Sequence, residues 1–244
     1  MPLLETEGLV KKYGSKQVVS GVSVKVEPGE VVGLLGPNGA GKSTSFKMIV
    51  GRVPPTEGKV HFSGEEVTDM PMYKRSRLGM SYLAQEPSIF DGLNVRDNLL
   101  AVLEFHESNK SKRMERLEEL LDKLDLREHA LTKSSSLSGG LRRRLEITRA
   151  LITRPSLILL DEPFAGVDPL VVEDIQNIVL LLKEDGLGIL ITDHNVGPTL
   201  HITDHAYIIQ NGTILISGTA EEIASSEVAR REYLGQNFIL HKRA

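Results

Sequence analysis

The chain contains no cysteine and no tryptophan. Without thiols it has neither a disulfide framework nor a thiolate metal site. No apolar run approaches the ~20 residues of a membrane span. Glu5 and Glu7 stand where a signal peptide carries basic residues and then an apolar stretch. The expectation is a cytoplasmic protein with no segment inserted in the membrane. A net charge of −4 supplies no general pull toward nucleic acid or anionic lipid. What is present is ordinary globular composition, 244 residues with 40% apolar and 25% charged. That is enough for a full core in one large domain, or one domain with a lobe. No repeat or low-complexity segment is visible.

The most informative stretch is Gly36-Pro37-Asn38-Gly39-Ala40-Gly41-Lys42-Ser43. It fits the phosphate-loop pattern G-x-x-x-x-G-K-[ST] at every fixed position. Gly36 and Gly41 let the backbone curl so that successive N–H groups face phosphate oxygens. Lys42 adds a point charge for the β/γ-phosphates, and the Ser43 hydroxyl can ligate Mg²⁺. The flanks agree. Residues 30–35 read as a buried strand, and Ser43 to Val50 reads as a helix whose N-terminus faces the anion, with Gly51 as its C-cap.

Along the rest of the chain, residues 3–35 are strand-rich, and Gly58 to Gly64 is a further short strand. From Val95 to Glu128 the pattern is helical, with Met114, Leu117, Leu120, Leu121 and Leu124 on one face. Lys110 to Arg113 and Ser134 to Ser136 read as loops. Alternation then returns: a helix over 140–153, a strand over 157–160, a helix over 170–184 and a strand over 187–192. A helix over 196–203 and a strand over 206–210 follow, the strand ending at an Asn211-Gly212 turn. This is an α/β chain with a parallel sheet and a helical insertion between its two halves.

Two further constellations carry chemistry. The apolar strand Leu157 to Leu160 ends in Asp161-Glu162. Beside a nucleotide, Asp161 can hold the Mg²⁺ shell and Glu162 can orient or deprotonate the attacking water. Leu137-Ser138-Gly139-Gly140 opens a helix with Ser138 as N-cap and two bare glycines, a second anion-binding helix N-terminus. Its next turn carries Arg142, Arg143 and Arg144, cations that oppose the macrodipole by a few tenths to ~1 kcal/mol each when exposed.

Phosphate loop, Leu137 to Gly140 and Leu157 to Glu162, in that order, resemble the ATP-binding cassette ATPases over essentially the whole chain. The resemblance implies a two-lobed cassette fold. Its phosphate-loop core has a mostly parallel sheet, an N-terminal antiparallel β-subdomain and a helical subdomain insertion. The implied division is one domain, 1–244, with 1–85 and 141–220 as core and β-subdomain, 86–140 as helical subdomain and 221–244 as tail. The resemblance also implies a head-to-tail homodimer. Each of its two ATPs would lie between one subunit's phosphate loop and the other's Ser138-Gly139-Gly140.

The family's other motifs map onto this sequence residue by residue. Tyr13 matches the aromatic that stacks on adenine, and Thr44 the residue that contacts the α-phosphate. Gln85 matches the glutamine that senses Mg²⁺ and the attacking water. Asp168 matches a loop that touches the partner subunit. Ile-Thr-Asp-His occurs twice. His194 directly follows an apolar strand, at the end where α/β sheets place ligands, and is taken as the γ-phosphate contact; His205 is read as structural. His61, His106, His129, His201 and His241 are expected on the surface. One departure stands out: the family usually carries Glu or Gln after the signature glycines, and this chain has Leu141. That leaves the three arginines less balanced, so Leu141→Glu is expected to raise ATPase activity or coupling.

A cassette without a membrane span needs membrane partners, here two permease subunits, with the cassette peripheral on the cytoplasmic face of the inner membrane. The family docks them on the segment after Gln85, where Ile89 and Phe90 would be the apolar anchors. Within the family, residues 33–42, 86–90, 161–169, 186–195 and Tyr233-Leu234-Gly235 are most similar to cassettes that export lipopolysaccharide. Cassettes of branched-chain amino-acid importers are the alternative. A soluble cassette of DNA repair or chromosome structure would need heptads in the middle segment, which are missing. A module that binds ATP without hydrolysing it would not need Glu162.

Overall fold

The computed structural model describes residues 1–240, so the expectation for His241 lies outside the described residues. The chain opens with β1 (Leu4–Tyr13), β2 (Lys16–Val22) and β3 (Lys25–Val26), then β4 (Val31–Leu35) and α1 (Lys42–Ile49). Next come β5 (Glu57–Phe62), β6 (Glu65–Glu66), α2 (Met72–Arg77) and β7 (Met80–Leu83). The insertion supplies α3 (Val95–His106) and α4 (Lys110–Lys123). Then follow α5 (Gly139–Ala150), β8 (Leu157–Asp161), α6 (Pro169–Glu184), β9 (Gly188–Asp193) and α7 (Val196–Leu200). Strands β10 (His205–Gln210) and β11 (Thr213–Gly218) and helix α8 (Ala220–Ser225) lead into the tail.

Two sheets result. The first is antiparallel, in the order β2-β1-β5-β6 with β3 also paired to β1. The second has the order β11-β10-β4-β9-β8-β7, parallel throughout except for the edge hairpin β10–β11. The expected Asn-Gly turn makes that hairpin, with Asn211 at φ +50 and Gly212 at φ +81, the left-handed pair a two-residue loop demands. Strands β4, β8 and β9 are buried at every position, as continuous apolar runs require when both faces are covered.

The period-two alternation of those strands divides the interior. Leu157, Leu159, Leu190, Val32 and Leu34 face a core shared with the antiparallel sheet and with Phe46, Met48 and Ile49 of α1. Ile158, Leu160, Ile189 and Ile191 face the opposite core, built with α6 and with Leu99, Leu103, Leu117 and Leu121 of the insertion. A third, smaller cluster joins Leu35, Leu200 and Ile208 to the tail.

Several elements differ from the sequence reading. The helical stretch from Val95 is two helices, broken at Glu107 to Asn109. Lys110 to Arg113, read as a loop, are the first turn of α4, because the Asn109 side chain accepts from Ser111 N and Lys112 N and caps that helix. Ser134 to Ser136 form a single 3₁₀ turn. The sequence reading had no strand at Met80–Leu83 and no helix at Met72–Arg77. Arg75 explains the latter: it is fully buried, and its guanidinium donates to the carbonyls of Met48, Ile49, Thr68 and Met70. It thereby satisfies the C-terminal end of α1, and burial pulls its pKa down to about 10. Of the histidines placed on the surface, His106 is exposed, while His61, His129 and His201 are only half-exposed. His201 keeps a buried Nε2 without a partner.

Candidate functional site

Parallel strands bring their C-terminal ends together, and the register does so here. Leu35 sits opposite Asp193, Asp161 opposite Thr192, and Leu83 opposite Leu160. The loops after β4, β7, β8 and β9 therefore converge on one edge, where α/β sheets bind ligands.

The loop after β4 is built by close approach. A Cβ on Gly36 would stand 2.2 Å from the Ile209 carbonyl oxygen. Gly39 and Gly41 sit at φ +78 and +111, and Gly41 is the N-cap of α1 with no side-chain cap. The helix thus opens with its N–H groups free of a side-chain acceptor. Ser43 and Thr44 lie half-exposed in its first turn, while Pro37, Asn38 and Gly39 are exposed and Ala40 is buried. Lys42 is 4% exposed, and its ammonium donates to the carbonyls of Gly36 at 2.7 Å and Pro37 at 3.1 Å. Burial lowers its pKa, opposed chiefly by Glu162.

Glu162 is where the loops meet. One carboxylate oxygen lies 3.6 Å from the Lys42 ammonium. The other accepts from Gln85 Nε2 at 3.2 Å and lies 3.3 Å from His194 Nδ1. Its backbone is left-handed, φ +47, a conformation non-glycine residues adopt at a cost on the order of 1 kcal/mol and typically at functional sites. The bond from Glu162 N to Thr192 O, 2.9 Å, holds it there. Asp161, one residue earlier, is buried. It accepts from Thr192 Oγ1 at 2.6 Å and from the Tyr82 hydroxyl at 3.1 Å. Burial first, and Asp161 second, push the Tyr82 phenol up to about 12. Asp193 accepts from the backbone N–H groups of Phe164 and Asn195, and burial raises its pKa. Sequence reasoning missed Tyr82 and Thr192 as supports of Asp161 and of the Glu162 backbone, and Asp193 as the acid beside His194. Their signal was only that each lies on or at the end of a core strand next to a candidate residue.

Other candidate residues lie outside this cluster. Tyr13, at the end of β1, is half-exposed, with the Lys11 ammonium 5.3 Å from its ring centroid. Ser138 caps α5 by accepting from Leu141 N at 3.3 Å, and Ser138 and Gly139 are exposed. Asp168 is the exposed N-cap of α6, its side chain making no cap bond. The three arginines are not left unbalanced. Arg142 lies 3.4 Å from Asp91, Arg143 bonds Glu146 at 2.8 Å, and Arg144 pairs with Asp174 and with Asp125. Leu141 packs against the insertion core, which answers the sequence expectation that it leaves those charges uncompensated.

The turn after Gln85 separates the two apolar candidates. Ile89 packs on the insertion core, whereas Phe90 is 47% exposed beneath the Arg149 guanidinium. Fully buried Asn98 of α3 clips this turn. Its side chain accepts from Phe90 N and donates to Phe90 O, Asn94 O and Ser134 Oγ. Helix α5 holds the same turn: Ser88 N donates to Glu146 and Arg149 donates to Ser88 O.

Among the described residues no group of three or more acidic, histidine or cysteine side chains could hold a metal, and no helix is long and apolar enough to cross a membrane. An oxygen set made of one carboxylate and one hydroxyl fits a cation that arrives with nucleotide phosphates, as Mg²⁺ does.

Comparison with known proteins gives a consistent picture. The family model described as ABC transporter matches residues 19–165. An uncharacterized ABC transporter ATP-binding protein of Rhizobium meliloti is 54% identical over 97% of this chain and 88% of its own length. The lipopolysaccharide export system ATP-binding protein LptB of Acidithiobacillus ferridurans is 50% identical over 97% of this chain and 98% of its own length. Among solved structures, the ADP conformation of an ATP-binding cassette of an ABC transporter is similar at a TM-score of 0.87. It is 33% identical, covering 97% of this chain and 100% of that one.

Proposed function

The chain belongs to the ABC transporter family as an ATP-binding, ATP-hydrolysing subunit, and from that premise we propose that it powers extraction of lipopolysaccharide from the inner membrane. The observation that carries the cargo is the 50% identity, end to end, with a protein named for lipopolysaccharide export. In this reading the cassette works as a homodimer beneath two permease subunits, peripheral on the cytoplasmic face.

The site residues take these roles. The N–H groups of residues 38–44 and the Lys42 ammonium receive the β- and γ-phosphates, and Tyr13 stacks on the adenine. Ser43 and Asp161 would hold Mg²⁺, with Gln85 beside it, and the ion would supply neutralisation of charge on the nucleotide phosphates. Glu162 accepts a proton from the attacking water, and Gln85 and His194 orient that water and the γ-phosphate. Exposed Ser138 and Gly139, half-exposed Gly140 and exposed Asp168 complete the phosphate site of the partner subunit in this reading. The lobes fall at 1–85 with 141–220, 86–140 and 221–244, and Phe90 is the exposed anchor for a permease helix.

The test is purification of the tagged chain from detergent-solubilised native membranes. Two different permeases with large periplasmic domains are expected. A pair of many-helix permeases encoded beside a periplasmic binding protein would replace the cargo by a branched-chain amino acid. Recovery of the chain alone would overturn the membrane role.

A further inference from the structure

The fold continues past its last strand. After α8 the chain turns through a π-helical segment, Arg230–Leu234, closed by Gly235 at φ +84. Arg230 Nε donates to the Ala224 carbonyl at 2.7 Å and fixes the base of that turn. Tyr233 and Leu234 pack on the cluster of Leu35, Leu200 and Ile208. π-Turns are uncommon and are enriched at functional sites. Here the turn sends one polar atom inward: the Tyr233 hydroxyl donates to the His194 carbonyl oxygen at 3.1 Å. Burial pushes the phenol up to about 12, with a backbone hydrogen bond from Gly36 opposing it. The hydroxyl therefore keeps its proton, and its capacity to donate, through the physiological range.

His194 needs such support. Its imidazole is half-exposed and lies beside Glu162 at 3.3 Å and Asp193 at 3.6 Å. Its position is set by its backbone. On one side the Asn195 N–H is tied to Asp193 at 2.7 Å; on the other the carbonyl is tied to Tyr233. We infer that Tyr233 is a positioning residue for ATP turnover, its hydroxyl fixing the His194 backbone and through it the placement of the imidazole against Glu162. The tail thereby reports its own docking to the chemical site. This rests on the reading of His194 and Glu162 as turnover groups. A tyrosine that only filled space against Leu200 and Ile208 would be replaced by phenylalanine without consequence.

The test compares single-turnover and steady-state ATPase rates of the full chain with those of Tyr233→Phe, His194→Ala and the double variant. Tyr233→Phe is expected to lower kcat about three- to tenfold, the span of one neutral hydrogen bond. KM for ATP is expected within about twofold of the wild type, with melting temperature within about 2 °C. In the His194→Ala background the same substitution is expected to change nothing further, because the pair acts as a unit. An unchanged kcat in Tyr233→Phe overturns the inference, as does an equal loss with and without His194. A wild-type chain no faster than Glu162→Gln would overturn the ATPase reading itself, and is distinguishable from either result.

Discussion

The Lys42 ammonium and the Glu162 carboxylate stand 3.6 Å apart, one from the helix after β4 and the other from the end of β8. Each partly neutralises the other, and Glu162 also faces Gln85 and His194. Glu162→Gln keeps the shape and removes the proposed base. Phosphate release is expected to fall by about 10²- to 10⁴-fold, and ATP-bound dimers to accumulate in size-exclusion chromatography. A variant that stays monomeric with ATP would contradict the sandwich arrangement.

Gly36 and Gly39 belong to the same loop but predict different outcomes. A Cβ at Gly36 meets the Ile209 carbonyl at 2.2 Å, whereas one at Gly39 meets nothing within 4 Å. Gly36→Ala is expected to cost more than about 3 kcal/mol or to abolish folding. Gly39→Ala should cost about 1–2 kcal/mol, the penalty of its left-handed φ alone. Urea denaturation of the two variants side by side measures the difference.

Tyr82 gives a pH signature. Its folded pKa, about 12, lies above the ordinary phenol value of ~10, so folding favours the protonated form. Its contribution is complete below pH ~10 and is lost as pH rises through about 12. Tyr82→Phe removes a hydrogen bond to a carboxylate and is expected to cost about 1.5–3 kcal/mol near neutrality. The gap between variant and wild type should hold up to pH ~10 and narrow as pH rises toward about 12; a gap that does not narrow contradicts the assignment.

Leu141→Glu has no waiting cation to satisfy, since Arg142, Arg143 and Arg144 are each paired. It also removes apolar packing on the insertion core. Stability is expected to fall by about 1–3 kcal/mol with no gain in turnover. A rise in ATPase rate would restore the expectation drawn from the sequence alone.

These outcomes follow a pattern in what the sequence discloses. The phosphate loop, Asp161-Glu162 and the Ser138 cap were legible because their chemistry demands particular residue types within a few positions. The inner strands were legible because burial on both faces leaves them wholly apolar. Strand β7 was not: Met80-Ser81-Tyr82-Leu83 is four residues long and carries two polar side chains, so no period emerges. The start of α4 was hidden because Lys110, Ser111, Lys112 and Arg113 carry no apolar stripe, and its signal lies in the preceding Asn109. Asn98 left one trace, an amide three residues after Val95, where the stripe of Val95, Leu99 and Leu103 would take an apolar side chain. The gathering of Gln85, Glu162 and His194 depends on strand order, which no local window contains.

The clip at Asn98 holds the Phe90 backbone while leaving its ring outward. Phe90 meets the outside, whereas Asn98, Glu146 and Arg149 join its turn to Ser134 and to the helix that Ser138 opens. In the proposed reading, contact with a permease and its linkage to the Ser138 helix rest on different side chains, so a change of the Phe90 ring alters the outward contact and leaves the bonds of Asn98, Glu146 and Arg149 in place.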